Sequence, residues 1–135
     1  SRPVSPRIER QAVLHETDEN MSDESQQKAE KATQYLIDSA RKIAKAKADL
    51  VRRENMLRVT KALAMRYSNE KSAAAQEREA YASEQYQDAV DGLATSAGNY
   101  EELRSLREAA KAQIDYWRSL NANQRSAERG YGSAR

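Results

Sequence analysis

"YSNEKS", residues 67 to 72, decides the fold. The chain reads as helix on both sides of it. Within it, Ser68 and Asn69 tolerate turn conformations and Ser72 can cap a new helix. A bend here makes a hairpin; without one the chain is a single rod. No glycine or proline falls between residues 21 and 91, so the break rests on these polar residues alone.

On the N-terminal side, Asp23 followed by Gln26 has the form of a capping box. A helix is expected from about Glu24 to Arg66. Its apolar stripe reads Ala29, Thr33, Leu36, Ala40, Ile43, Lys47, Leu50, Glu54, Leu57, Lys61, Ala64 in steps of three and four. Lys47, Glu54 and Lys61 interrupt that stripe. On the other side a short helix is expected from Ala73 to Tyr81, then a long one capped by Ser83. The seam of the long helix reads Tyr86, Val90, Leu93, Ala97, Tyr100, Leu103, Leu106, Ala110, Ile114, Trp117. Gly92 and Gly98 lie inside it, each costing about 1 kcal/mol relative to alanine. A kink or a close helix approach is expected near Gly98.

Two long helices with a short connection bury their stripes by lying antiparallel. The fold class expected is all-α: a long antiparallel helical hairpin, coiled-coil-like, with a short connecting helix. Two helices bury little apolar surface, so self-association is expected as well. The hairpin domain covers residues 23–122. Residues 1–22 hold both prolines and the only histidine and read as a mostly irregular leader, with room for a short turn of helix at Arg7 to Leu14. Met21 opens a stretch that looks like a start of translation, so the leader need not be native. Residues 123–135 read as a frayed polar tail.

Composition narrows the chemistry. Of 135 residues, 33% are charged; there is no phenylalanine or cysteine, and mean hydropathy is −1.00. Disulfides, thiolate metal sites and cysteine nucleophiles are excluded. No apolar run approaches the ~18 residues of a membrane span, and no secretory leader is visible. The glycines form no phosphate-cradling loop. His15 stands alone, and adjacent carboxylates such as Glu101 and Glu102 point about 100° apart on a helix. The chain therefore reads as non-enzymatic, with no catalytic residue, metal, cofactor, small-molecule substrate or membrane contact.

The net charge of +2 is unevenly spread. Residues 41–66 carry nine Lys/Arg against two Asp/Glu, and residues 67–102 carry two against eight. In a hairpin these blocks run side by side. The basic run "RKIAKAKADLVRRENMLRVTK" offers Arg41, Lys45, Arg52, Arg53, Arg58 and Lys61, with Arg118 farther on, as a salt-sensitive, sequence-independent nucleic-acid surface. The competing reading is a solvated face neutralised by the acidic return path. Tyr116-Trp117-Arg118 is the second candidate, as a stacking platform or a partner anchor. Against that, Trp117 continues the apolar stripe and fits a packing role.

The stretches "EKSAAAQEREAYASEQYQDAV" and "NYEELRSLREAAKAQIDYWRSLNANQR" resemble a group of small helical bacteriophage and prophage proteins encoded beside annealing-protein and exonuclease recombination modules. The likeness covers a little over half the chain, and the Trp-Arg-Ser ending is its most specific part. It implies an accessory role in phage DNA recombination or replication, in the cytoplasm of a bacterial host, with DNA or a recombination protein as partner. Two rivals stand beside that. One is an adaptor or inhibitor of a host or phage enzyme, working through Glu77 to Asp91 or the Trp117 end. The other is a structural coiled-coil part, which should show a more regular heptad seam than the interrupted one read above. A DNA-binding rod, for its part, needs arginines free of acidic partners.

Overall fold

The computed structural model describes residues 6–133, with side chains for residues 23–130. Among these the chain is all-α: α1 (Pro6–Arg66), α2 (Ala73–Ala82) and α3 (Glu84–Ser133), with α1 packed on α3 as a hairpin and no strand.

The break falls at the quoted stretch. Helix α1 stops at Arg66, and Tyr67 and Ser68 donate their last backbone hydrogen bonds to Leu63 O (3.0 Å) and Met65 O (3.3 Å). The Ser68 hydroxyl accepts from the Glu70 N–H and donates to the Glu79 carboxylate, which ties the turn to α2. Ser72 sits in an extended conformation (φ −99°, ψ 149°) and accepts from the Ala75 N–H at 3.1 Å, so it caps α2. Ser83, again extended, serves two helices. Its N–H and hydroxyl donate to Ala80 O, ending α2, and its hydroxyl oxygen accepts from the Tyr86 N–H, starting α3.

Both ends of the chain depart from expectation. Helix α1 begins at Pro6 and runs through Asp23, so an irregular leader over residues 6–22 is not what forms, and Asp23 caps nothing. The physical reason is Pro6 itself. At a first helical position its missing N–H costs nothing and its φ is already helical. No helix breaker follows it for over 80 residues. Residues 1–5 lie outside the described residues, as do the side chains of residues 6–22, including His15. At the other end α3 continues to Ser133, so residues 123–133 are helical rather than a frayed tail. Their composition is polar, as expected, and residues 122–130 are exposed.

The chain forms two compact units, Ser1–Ile37 with Arg107–Arg135, and Asp38–Leu106. In the first, Ala29 and Ala32 of α1 and Ala110 of α3 are buried, with Leu36, Arg107, Ile114 and Trp117 half-buried. The Arg107 guanidinium donates to Leu36 O at 2.7 Å, so this seam is partly polar. In the second unit, Ser39, Ile43, Ala46, Leu50, Leu57, Thr60 and Ala64 of α1 are the sheltered positions, with Tyr86, Ala89, Leu93, Ser96, Tyr100 and Leu103 of α3.

These positions correct the expected register. The α1 seam alternates steps of three and four from Ala29 through Ala32, Leu36, Ser39, Ile43, Ala46, Leu50, Arg53, Leu57 and Thr60 to Ala64, with Arg53 its one exposed member. The α3 seam does the same, with Ala89 and Arg107 where Val90 and Leu106 were expected, and with Ser96 buried beside the half-buried Ala97. The regular spacing has a steric cause. Helix axes that approach to 8–10 Å need small side chains at the contact. Every second position is accordingly alanine, serine or threonine in most of the seam, while Val90 and Leu106 stay outside, 40% and 50% exposed. Gly98 makes no close approach: a Cβ there would meet nothing within 4 Å, and α3 passes through it as one helix. The close approach is at Gly92, where a Cβ would lie 2.9 Å from Arg53 Nη1.

Candidate nucleic-acid interface and the groove beside it

Helix α1 turns about 100° per residue, which sorts the candidate cations of the Asp38–Leu106 unit onto separate faces. Arg41, Arg52 and Arg58 fall within an arc of about 120° on the side of α1 away from its seam, and all three are exposed. Ala44, Ala48, Val51, Asn55, Val59 and Ala62 share that arc and are exposed too. The arc thus carries long cations among shorter, uncharged side chains, which leaves the guanidinium groups the outermost groups a phosphate backbone would meet. Arg41 and Arg58 are about 26 Å apart along the axis, at 1.5 Å per residue.

The expected neutralisation by the acidic return path does not reach this face. Among the described residues, Arg41, Arg52 and Arg58 have no ion pair or side-chain hydrogen bond to a carboxylate. The ion pair between the two charge blocks is Lys61–Glu77, at the bend. Other pairs stay within α3 at i, i+3 spacing: Arg104–Glu101, Lys111–Glu108 and Arg118–Asp115.

The remaining candidates are placed elsewhere. Lys45 and Lys42 line an open groove between α1 and α3, whose edge Arg52 also borders. Arg53 occupies a seam position across Gly92, whose lack of a side chain makes room for its guanidinium. Lys61 is committed to α2. Its ammonium donates to Glu77 Oε1 and the Tyr81 hydroxyl, both at 2.8 Å, and lies 4.6 Å from the Tyr81 ring centroid. The hydrogen bond to Glu77, then that to Tyr81, holds Lys61 well above the usual lysine range. In return the hydrogen bond from Lys61 holds the Glu77 carboxyl below its usual value. This cluster fastens α2 to α1 and is not a binding surface.

Arg118 belongs to the other unit and is not part of the α1 face. Its guanidinium sits 3.8 Å from Asp115. Trp117 is half-buried in that unit's seam, beside a shallow cleft lined also by Ala29, Thr33 and Ile114. Tyr116 is 64% exposed and diverges from Trp117 by about 100°. The two rings therefore form no common stacking platform, and Trp117 is a packing residue.

The groove went unread in the sequence. It runs along one side of the Asp38–Leu106 unit as three open clefts, the middle one joined to one neighbour through Asp49 and Arg52 and to the other through Thr60. Met56, Leu63, Tyr67 and Leu106 line it and stay 46%, 45%, 76% and 50% exposed. The available signal was a second heptad on α1, in which Asp49, Arg52, Met56, Leu63 and Tyr67 recur in steps of three, four and seven.

Among the described residues, no His/Cys/Asp/Glu group could hold a metal ion, and no helix is long and apolar enough to cross a membrane. Comparison with protein-family models, curated proteins and solved structures finds no match to this chain.

Proposed function

We propose that this chain is a non-enzymatic accessory protein of phage DNA recombination or replication in a bacterial host, which binds nucleic acid along the outer face of α1. One observation carries the reading: Arg41, Arg52 and Arg58 share an exposed face and have no carboxylate partner among the described residues. Arginines kept free of intramolecular partners retain their full attraction for phosphate. Each contact to duplex DNA would release counterions, so affinity depends steeply on salt. The phage context rests on the resemblance of residues 70–90 and 99–125 described above. Titration of labelled single- and double-stranded oligonucleotides tests the reading. Binding at 50 mM salt that is lost by about 300 mM is expected; no binding of either oligonucleotide at 50 mM would overturn it.

A second reading, a structural coiled-coil part, is favoured by the regular three-and-four spacing of both seams, sheltered throughout save at Arg53. It predicts the protein in purified phage particles, and absence from them excludes it. A protein adaptor acting through Trp117 loses support, because that ring is engaged in its own seam.

A further inference from the structure

We infer that the groove between α1 and α3 in the Asp38–Leu106 unit is a self-association surface, closed by a second copy of this chain lying parallel to the first. Three observations point to this occupant.

The floor is apolar and uncovered. Met56, Leu63, Tyr67 and Leu106 line the groove and are about half exposed or more. They follow one stripe of α1 and the facing edge of α3, as a coiled coil's second seam would. The hairpin's own seam is thin: among the described residues no side chain is both large and fully buried, and the buried apolar residues of α1 and α3 are three alanines and Leu50.

The walls carry opposite charges that do not meet within the chain. Lys42 and Lys45 stand on the α1 wall, and Asp88 and Glu102 on the α3 wall. Among the described residues none of the four is in an ion pair. A two-fold axis running along the groove lays the α1 wall of each copy on the α3 wall of the other. Lys45 and Glu102 line the same stretch of groove, so the axis brings each Lys45 to the other copy's Glu102, twice per dimer. An antiparallel arrangement would instead set α1 on α1 and place the basic walls together. The charges therefore select both the partner and its direction.

The size is adequate. The groove follows α1 from Lys42 to Tyr67, about 38 Å at 1.5 Å per residue. Two helices wide, it would bury on the order of 1,500 Å² in total, within the usual range for a specific interface. Arg41 and Arg58 do not line this groove, whereas Arg52 does, so the phosphate-binding face adjoins the dimer contact along Arg52.

Sedimentation equilibrium of the full chain tests the inference. The wild type is expected as a dimer. Lys45→Glu and Glu102→Lys should each weaken association about tenfold or more, because every pair in either homodimer becomes repulsive. An equimolar mixture of the two variants should recover wild-type affinity, since both of its cross-pairs are again of opposite sign. Pairing within one chain cannot give that result. Met56→Asp with Leu63→Asp should yield a folded, helical monomer. A monomeric wild type, a mass of three or more copies, or a mixture no tighter than its components would each overturn the inference.

Discussion

Arg53 lies across Gly92, and four residues away on each helix, in opposite directions, the Ser96 hydroxyl donates to Asp49 at 2.5 Å. Two contacts displaced equally and oppositely define an antiparallel register. Lys47, 5.0 Å from the Tyr100 ring centroid, extends it toward the unit's other end. None of these pairs is apolar. Polar reach over small neighbours sets which residues of α1 and α3 meet, while the alanine-rich seam sets how closely.

The corrected register makes a direct prediction. Ala32 is 5% exposed, and Thr33, its alternative in the sequence reading, is exposed with its hydroxyl donating to Ala29 O. Ala32→Asp should cost about 2–4 kcal/mol, because it buries an unpaired carboxylate in a tight contact. Thr33→Asp should cost under about 1 kcal/mol. Urea denaturation followed by circular dichroism separates them, and equal costs would restore the interrupted stripe.

The two helical glycines should respond differently to alanine. At Gly98 the new methyl meets nothing within 4 Å, so Gly98→Ala should stabilise by about 0.5–1 kcal/mol through helix propensity and a restricted unfolded chain. At Gly92 the methyl meets Arg53 Nη1 at 2.9 Å. That group is the far end of a flexible side chain and can swing away, so Gly92→Ala should gain less than Gly98→Ala. Thermal melts give the order, and a larger gain at residue 92 would mean Arg53 does not lie there.

The Lys61 cluster predicts a plateau in pH. Glu77 is held below its usual 4.5, so its contribution is complete above that value and is lost as pH falls through the lowered folded value. Lys61 is held above its usual 10.5, so its contribution is complete below that value and is lost as pH rises through the raised folded value. Docking of α2 should therefore be constant between about pH 5 and pH 10 and weaken on both sides. Following Tyr81 ring resonances by NMR reports it. Lys61→Met should abolish both flanks, and an unchanged profile would remove the cluster from the account.

Much of this was legible in the sequence. The bend at residues 67–72 showed itself through Ser68 and Asn69, and the caps at Ser72 and Ser83 through their hydroxyls, because these are local hydrogen-bonding effects. The seam was legible at its large residues, Leu36, Ile43, Leu50 and Leu57, and misread by one residue between them. Hydrophobicity favours Val90 over Ala89 and Leu106 over Arg107, whereas two helices in contact select for smallness and reach. Helix α1 starts at Pro6 because a proline that reads as a breaker is, at a first helical position, a starter. The candidate cations were all visible in the sequence, yet only helix phase divides Arg41 and Arg58 from Lys45 in the groove, Arg53 across Gly92 and Lys61 at the bend, with Arg52 on the border between the open face and the groove.

The central claim is that an arginine face, left unpaired by the hairpin, holds nucleic acid. It is tested most directly by the salt dependence of duplex binding for the wild type and for the triple variant Arg41→Gln, Arg52→Gln, Arg58→Gln. Each lost phosphate contact should lower the slope of log affinity against log salt by about 0.9, so the variant's slope should be shallower by about 2–3 with its helicity unchanged. Equal slopes for the two proteins would contradict the claim.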